Sequence, residues 1–540
     1  MRKPAKGRSA AKKQSPSITP SAQSHPTPTP PAPSTPEAWR DHWNAQGQPW
    51  RTEPEIDAKR QSELDQRRAV IPDIEKGIYP FKGVKLNRAD VEWLLSTHED
   101  GQGPVNWSDE SQRKREGLDL RGANLSQEKL SDLPLAKLCG GVHLLMGIDQ
   151  GFEMTEERRD AAAIKLNGAD LSNAQLDGAD LYFAQMKGAN FSGAHMEKAN
   201  LGWAQLEKAE FIFAHLNGSS FNDANLVSAN FMGADMEKAN LEWTHSSSAK
   251  LSSAILKGAK LNDAHLEKVN LMGARMEGAR LDDAILVGAD LTLAHLQNAN
   301  LRNVYLVGAN LTDANLEGSR IDGAILANRK GVSPQIVDLN LNNVNLTTIE
   351  WSLVNMLGDE YEARQKRRGS SLKKKDTRLY ECKNAVRANR QLASLLQNQG
   401  LDEDAARFTY RALALQKTVF WLQFIRKQAR FKYRVRMLGS WLFSWFLFLL
   451  AGYGYKLWRS FFAYLMVISS FMFLYHIVNP LLAWNEAFVV SMTAFHGRGF
   501  SPSTFSPGDT LSLISTIEAF IGLVVEVTFI ATLTQRFFRK

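Results

Sequence analysis

Residues 169–201 read ADLSN AQLDG ADLYF AQMKG ANFSG AHMEK ANL. A large apolar residue recurs at every fifth position, and an alanine stands two places before it. The pattern runs from Leu166 to Leu326 in about 33 units, of which only Ser246 has a polar centre. A period of five is neither helical nor the simple alternation of a strand, so it marks a structural repeat. In extended chain the alanine and the large residue face the same side. Repeated after every turn, they would fill the bore of a solenoid.

This repeat resembles the pentapeptide-repeat family over about residues 161–357. The resemblance implies a right-handed quadrilateral β-helix with four pentapeptides per coil and with the alanine and the central residue pointing inward. Residues twenty apart would then stack, which places Phe191, Phe211 and Phe231 in one column. At about 4.8 Å per coil, roughly eight coils give a rod about 40 Å long.

Both ends of the repeat depart from the pattern. Residues Asn328 to Pro334 interrupt it, and the later centres carry Leu, Val or Ile in most alanine positions. These centres are Ile336, Leu341, Leu346, Trp351 and Met356. They predict a distorted last coil and a cap. Upstream, residues 118–160 begin with a short tract around Ala123-Asn124 in a different phase, and we expect Ser131–Asp160 to be an insertion.

Outward-facing aromatic residues are the best candidates for a docking surface on the solenoid. Phe183, Trp203 and Trp243 fall on one side of the four-sided arrangement. Such an exposed line favours a protein partner, although packing against a flanking helix would explain it equally well.

Histidines also stack in this arrangement, His195 with His215 and His245 with His265. No cysteine and few carboxylates complete a ligand set beside either pair, so we expect polar turn residues and no metal. The chain lacks a Gly-rich phosphate loop and a nucleophile elbow. We therefore expect no catalytic residues and no cofactor, and a protein that is not an enzyme.

Charge and cysteine content exclude two further classes. From Ala161 to Lys330 there are 19 acidic and 15 basic residues, a net charge of −4 that is too weak for a surface imitating DNA. We expect no nucleic-acid partner. The only cysteines, Cys139 and Cys382, argue against a disulfide framework and for a reducing compartment.

The regions around the repeat differ in composition. The first residues are rich in Pro, Ser and Thr without an apolar core, which predicts a disordered tail and no signal peptide. A helix is expected around Ala89–His98, and a helical hairpin is expected to break at Gly400, with Asp402 capping its second helix. The predicted divisions outside the repeat are a tail (1–37), a helical or irregular region (38–117), a basic linker (358–378), the hairpin (379–418), basic interfacial helices (419–458) and a membrane module (459–540).

The last part of the chain has the composition of a membrane protein. Phe461–Val478 and Leu511–Leu533 are long enough to cross a hydrocarbon layer of about 30 Å. Trp441–Ala451 is apolar over only eleven residues, which predicts an interfacial or re-entrant helix. Basic residues precede the first span and follow the second. The positive-inside rule then places both termini and the solenoid in the cytoplasm, and we expect the bacterial inner membrane.

Between the spans, Leu481–Phe495 is too short to cross and apolar enough to dip into the membrane. The order of span, short helix, glycine loop and span resembles the two-transmembrane potassium-channel family. That family has the filter T-x-G-Y-G-D, whose backbone carbonyls replace the hydration shell of the ion. The corresponding residues here are Phe495, His496, Gly497, Arg498, Gly499 and Phe500. The glycines match, but Phe495 replaces the threonine, Arg498 the tyrosine and Phe500 the aspartate, which puts potassium selectivity in doubt.

Two carboxyl groups, Glu518 and Glu526, lie inside the second span, where a charge is costly and faces protein or water. They would either line a cation path and bond the loop, or be hydrogen-bonded carboxyls that hold helices together. A second sequence that resembles the filter motif, Gly452-Tyr453-Gly454, precedes the first span, where it predicts a turn.

The sequence as a whole predicts a membrane-anchored protein with a pore-like domain that forms a homo-tetramer and conducts monovalent ions with weak selectivity or under regulation. The solenoid would be a sensor or a docking platform for a protein partner, and the remaining contacts would be with membrane lipids. The rival hypothesis is a membrane-anchored scaffold that does not conduct.

Overall fold

The computed structural model describes residues 36–73, 76–141, 155–327, 333–368, 371–426, 429–497 and 510–537. The described helices and strands are, in chain order, α1 (Pro36–Asn44), α2 (Ala58–Arg68), α3 (Arg88–Ser96), α4 (His98–Gly101), α5 (Glu156–Ala162), α6 (Gly358–Arg364), β1 (Arg367–Arg368), β2 (Ser371–Leu372), α7 (Lys375–Asn398), α8 (Asp402–Phe424), α9 (Phe431–Ala451), α10 (Leu457–Val478), α11 (Trp484–Phe495) and α12 (Thr510–Phe537).

The repeat folds into coils of four pentapeptides. Asp170 pairs in parallel with Asn190, and Gln175 pairs with His195. The same separation of twenty residues continues up to the pairing of Tyr305 with Ile325. This confirms the four-sided β-helix expected from the sequence. We call residues 118–141, 164–327 and 333–357 the rod.

Each corner of a coil is a turn that needs a left-handed residue. Ala169 N donates to Leu166 O at 3.0 Å, and Gly168, the third residue of this turn, has a φ of +66°. A positive φ at the third residue of such a turn favours Gly, and Asn tolerates it better than most other residues. Asn173 occupies the equivalent place in the next unit with a φ of +56°.

The bore of the rod is filled by the alanines and the central residues. Phe211 lies 4.9 Å from Phe191 and 4.7 Å from Phe231, measured between ring centroids, so the predicted column forms. The one polar centre, Ser246, is buried, and its hydroxyl bonds that of Thr244 at 3.0 Å. Thr244 in turn donates to Leu241 O at 2.9 Å, so both hydroxyls of this pair are hydrogen-bonded.

The first coil is longer than the sequence indicates. Asn124 pairs with Lys165, Pro134 with Gln175 and Cys139 with Asp180. The expected insertion over Ser131–Asp160 is therefore wrong at its start, because residues 131–141 continue the coil. Leucines replace alanine in this stretch, which hid the pattern. The inserted segment follows residue 141, and its described part ends in α5.

The N-terminal end of the rod is closed by the segment before the first coil. Lys85 pairs with Asn124, and α3 buries Val91, Leu94 and Leu95 against the same core as the rod. The predicted helix around Ala89–His98 is confirmed by α3. Apolar side chains at the mouth of the bore are thus removed from water.

At the C-terminal end the pairing distance changes from twenty to twenty-five residues. Asn310 pairs with Gln335, and Asn315 pairs with Asn340. The interruption after Leu326 therefore adds the length of one pentapeptide without changing the order of the sides. This confirms a distorted last coil.

Helices α7 and α8 form the cap beyond that coil. Leu392, Leu396 and Phe408 belong to the core of the rod. Gln399 Nε2 donates to Val344 O at 2.7 Å, and its Oε1 accepts from Leu346 N at 2.7 Å. Two otherwise unpaired backbone groups of the last coil are satisfied in this way.

The predicted break at Gly400 is confirmed, since its φ of +78° separates α7 from α8. The predicted cap is wrong. Leu401 occupies the N-cap position of α8 without a side-chain bond, and Asp402 lies in the first turn. There its carboxylate faces the positive end of the helix dipole, together with Glu403 and Asp404. The second helix also extends to Phe424, beyond the predicted end of the hairpin.

Candidate functional site in the C-terminal helices

Three described helices are long and apolar enough to cross a membrane by length and composition, over Phe431–Gly454, Leu457–Val478 and Thr510–Thr534. The last two match the predicted spans. The first contains Trp441–Ala451, which the sequence indicates is too short to cross. The predicted helix is too short, because the observed helix begins at Phe431 and includes the basic residues before Trp441. Length alone therefore no longer separates an interfacial helix from a span here.

The short helix α11 packs between α10 and α12. Phe495 at its end contacts Ile468 of α10 and Val525 of α12 in one buried cluster. Ala487 and Val490, nearer its start, share a second cluster with Tyr475 of α10. Its N-terminus is closed by Glu486, whose carboxylate accepts from Ala483 N at 3.1 Å. The predicted order of long helix, short helix and long helix is thus a packed unit.

Glu518 is the hydrogen-bonding centre of this unit. Its side chain is fully buried and accepts from Tyr475 Oη at 2.8 Å and from Ser491 Oγ. Ser491 also lies 3.0 Å from Ile468 O. One carboxyl group therefore joins all three helices. Of the two roles considered for Glu518, this arrangement has the features of the structural one.

Gly522 allows α11 and α12 to approach closely. A Cβ added to Gly522 would lie 2.1 Å from the carbonyl oxygen of Phe495, far inside contact distance. The position therefore excludes every other residue as long as the end of α11 stays where it is. Nothing in the sequence signals this requirement, because a single glycine within an apolar helix has many explanations.

Glu526 has a different environment from Glu518. It lies 3.5 Å from His496 Nε2, and its side chain is 35% exposed. Together with Phe495, Gly497 and Phe520 these residues line a cavity of about 310 Å³ at the C-terminal end of α11. The backbone carbonyls at that end carry partial negative charge, as does the carboxylate. The cavity therefore joins a helix end and a carboxylate, with the His496 ring beside the carboxylate.

The filter-like stretch is only partly described. Phe495 ends α11 and is buried, His496 bonds Met492 O at 2.8 Å, and Gly497 has a φ of +67°. Arg498, Gly499 and Phe500 lie outside the described residues. The second glycine sequence, Gly452–Gly454, forms the predicted turn between α9 and α10, with Tyr453 Oη 2.8 Å from Ser444 Oγ.

On the rod, the predicted aromatic line is discontinuous. The rings of Phe183 and Trp203 lie 5.9 Å apart, and Arg159 of the helix α5 lies over Phe183. One coil separates Trp203 from Trp243, and Asp223 occupies the equivalent position in that coil. Trp243 is 56% exposed. Packing against a flanking helix therefore accounts for Phe183, while Trp203 and Trp243 are exposed to solvent and the docking role stays a prediction.

A second apolar strip, which the sequence pattern did not single out, lies on the opposite side of the rod. It consists of Phe213, Met232, Met272 and Leu293, all exposed. Phe213 and Leu293 have φ values of +56° and +60°, a backbone region that bulky side chains rarely adopt. The signal was available in the sequence as large apolar residues in the position that otherwise holds Gly, Asn, Asp, Ser or Lys.

The predicted histidine stacks form. His195 and His215 lie 4.5 Å apart, and His245 and His265 lie 5.0 Å apart, between ring centroids. Across the part of the chain that the structure describes, no group of three or more His, Cys, Asp or Glu side chains could hold a metal ion.

Comparison with known families agrees with the geometry of the rod. The family model for pentapeptide repeats matches eight copies, over residues 162–193, 184–211, 204–242, 249–288 and 289–328. The matched part of the rod consists of pentapeptide repeats. The matched segments omit residues 243–248, where Ser246 replaces the apolar centre. The C-terminal helices lie outside the match, and no curated protein matches the chain.

Among solved structures, the chain is similar to HetL, a pentapeptide repeat protein involved in heterocyst differentiation regulation in Nostoc sp. strain PCC 7120. That match has 22% identity and a TM-score of 0.18, and covers 48% of this chain and 96% of HetL. Trypsin-treated QnrB1, a plasmid-mediated fluoroquinolone resistance protein, has 22% identity and a TM-score of 0.25, with coverage of 31% and 88%. Scores at this level carry no argument about the function of the present chain.

Proposed function

We propose that this protein is a membrane-anchored pentapeptide-repeat protein whose helices α10, α11 and α12 assemble as a homo-tetramer around a path for monovalent cations. The rod would be its cytoplasmic docking platform. The observation that carries the proposal is the cavity at the end of α11, which combines helix carbonyls with the partly buried carboxylate of Glu526.

The electrostatics of this cavity favour cations over anions. The dipole of α11 is equivalent to about half a negative charge at its C-terminal end. Glu526 adds a full charge when ionised, and a ring of carboxylates is a common selectivity device in cation channels. Glu518 is not available for this purpose, because Tyr475 and Ser491 already bond both of its oxygens.

The surface of α12 supports assembly. Its buried face includes Ile514, Glu518 and Val525, while the opposite face is apolar and exposed. The exposed residues are Leu513, Ile517, Phe520, Leu523, Val527 and Ile530. An apolar face of this length needs lipid or a neighbouring copy to cover it. Phe520 and Leu523 of that face also line the cavity, so a neighbouring copy there would enclose it.

The rod supports the docking role. Trp203 and Trp243 on one side, and Phe213 and Leu293 on the opposite side, keep large side chains in strained left-handed backbone. Strain of this kind costs about 1 kcal/mol or more per residue and is retained where the side chain is used. A protein partner with apolar groups is the ligand that such strips fit.

The rival is the scaffold that does not conduct. It is favoured by the departures at Arg498 and Phe500, since four arginines around a narrow path would repel cations. Replacing Arg498 by Tyr and Phe500 by Asp should increase potassium flux if the aligned loop is a filter.

The deciding experiment is ion flux in vesicles that contain the full-length protein, together with a count of subunits per assembly. We expect four subunits and a cation flux that Glu526→Gln reduces several-fold. The control is Glu403→Gln on α8, which is exposed and far along the chain from the cavity. Tetramers that carry no current at any voltage would favour the scaffold and contradict the pore.

A further inference from the structure

Two basic stretches that are distant in sequence meet at one end of the helical cap. Residues 364–378 contain eight Lys and Arg and one acidic residue, and residues 426–436 contain six basic residues and none that is acidic. The ion pair between Arg426 and Asp376, at 3.3 Å, joins the two stretches. That pair uses the single acidic group, which leaves an excess of positive charge at this end.

Some of these basic groups have partners within the chain. Lys373 is buried between Glu362 and Glu381, and Arg434 donates to Phe424 O at 2.9 Å. Others are exposed on the described surface. They are Lys366, Lys374, Lys375, Arg430, Lys432 and Arg436. Their charge is therefore open to an external anion.

Near the end of helix α9, Leu450 packs with Ile468 of α10 and Val525 of α12. The rest of the helix, which continues from the basic end, has two different faces. One face packs on α8, where Trp441 lies 5.0 Å from Trp421, and Trp445 and Phe448 enclose the Lys417 ammonium at 3.8 and 3.9 Å. The other face is apolar and exposed. It consists of Val435, Leu442, Phe443, Phe446 and Leu449.

The partner of α9 argues against a third membrane span. Lys417 lies midway along α8, next to α9, and burial lowers its pKa. If α9 crossed the bilayer, α8 would be drawn into the hydrocarbon with its charged side chains, as would α7, which packs along the whole of α8. Charged residues at the centre of a bilayer are costly. A helix with one face on a polar cap, one apolar face and a cluster of basic residues is suited to the membrane surface.

We propose that α9 lies in the interface of an anionic phospholipid bilayer, with its apolar face among the acyl chains and the basic end of the cap bound to lipid phosphates. The rod is thereby held at the membrane surface by its own C-terminal cap. The chain then has two spans, so α9 and the start of α10 lie on one side. This inference rests on the proposed function only in placing α10 and α12 in the bilayer.

Lipid is a better occupant than nucleic acid because of the apolar face. Phosphates of either kind would satisfy the basic end, but nucleic acid would leave Leu442, Phe446 and Leu449 uncovered. A bilayer covers both features at once, since the headgroups lie beside the acyl boundary.

The first test measures lipid preference in the full-length protein in detergent. Fluorescent phosphatidylglycerol is the probe, and phosphatidylglycerol, phosphatidylcholine or an oligonucleotide is the competitor. The variant is Arg430→Gln with Lys432→Gln and Arg436→Gln, and the control is Lys257→Gln with Lys260→Gln and Lys268→Gln on the rod. At about 1 kcal/mol per basic residue, the variant should lose about 100-fold in affinity at low salt, and the control should lose little.

The second test locates the two ends of α9 in sealed vesicles. Cysteines replace Arg430 or Lys456 in a background with Cys139→Ala and Cys382→Ala, and both should react with an impermeant maleimide from the same side. Reaction from opposite sides would show that α9 crosses the bilayer and would overturn the proposal. So would equal affinity for the two lipids, an equal loss in the rod control, or displacement of the probe by the oligonucleotide. Neither test uses ion flux, so a silent pore with intact lipid preference would contradict only the proposed conduction.

Discussion

The rings of Phe211 and Phe231 are stacked with their centroids 4.7 Å apart and their planes 1° from parallel. This distance is the rise of one coil, about 4.8 Å. Identical side chains on successive coils are therefore held in register by the backbone. Phe221 meets both rings edge-on from another side of the coil, at 5.9 and 5.7 Å.

Truncation in this stack should weaken the rod locally. Phe211→Ala removes a ring that neighbouring coils cannot replace, and we expect a loss of about 3–5 kcal/mol in the free energy of unfolding. This loss is measured by hydrogen exchange of the backbone amides in residues 186–236 of the full-length protein. Phe213→Ala, two residues away with a ring that is 64% exposed, is the matched control. Equal protection in Phe211→Ala and the native protein would contradict a rigid stack.

The rod was predictable because the spatial neighbours of each residue are its own equivalents twenty positions away. The resemblance to pentapeptide-repeat proteins implied four units per coil, and with the five-residue period this placed the Phe column and the histidine stacks. The twenty-residue rule does not hold in full at either end. The stretch 131–141 was missed because leucine replaces alanine there. The interruption after Leu326 was expected from the sequence, and it changes the separation to twenty-five.

Close packing of α11 against α12 should be sensitive to a single methyl group. Gly522→Ala places a Cβ against Phe495 O, so the end of α11 must move, and we expect loss of the tetramer or of ion flux. Gly439→Ala is the control, because nothing lies within 4 Å of its Cβ position in α9. That change should be neutral or stabilise by up to about 1 kcal/mol. Subunit counting and flux compare the two variants.

Removing the carboxyl group of Glu518 should loosen the three-helix unit. Glu518→Ala leaves the hydroxyl of Tyr475 without its acceptor, whereas the hydroxyl of Ser491 can still donate to Ile468 O. One unpaired buried group costs about 1–3 kcal/mol. Glu518→Gln keeps an acceptor and should cost less, which separates hydrogen bonding from charge. Thermal unfolding in detergent ranks the variants. If Gln and Ala were equally destabilising, the charge rather than the bonding would be the cause.

The site was less predictable than the rod because its partners come from separate segments. Sequence singled out Glu518 and Glu526 by their cost in an apolar helix but could not assign them different roles. Tyr475 and Ser491, which bury Glu518, carry no periodic signal. The contact between His496 and Glu526 likewise depends on how α11 ends against α12.

The rod and its cap should separate more easily as the pH rises through the pKa of Asp359. This carboxyl group accepts from Ile336 N at 2.6 Å, and burial raises its pKa to about 6. Because the folded state holds the proton more tightly than the unfolded state, the stabilisation is complete below about pH 4 and is lost between about pH 4 and 6. The loss amounts to about 3 kcal/mol at most, since one pKa unit corresponds to about 1.4 kcal/mol.

Asp359→Asn should abolish this dependence, because the amide oxygen still accepts from Ile336 N and does not titrate. This pH dependence is measured in the full-length protein by hydrogen exchange of the amides of α7 and α8, with the exchange rates corrected for the intrinsic effect of pH. At pH 8 we expect the amides of α7 and α8 to be protected from exchange at least as strongly in the variant as in the native protein. At pH 4 we expect their protection in the variant to be no stronger than in the native protein. Asp313→Asn, an exposed change near the same end of the rod, should retain the native slope. A native slope in Asp359→Asn would place the titrating group elsewhere, because no other change distinguishes the two proteins.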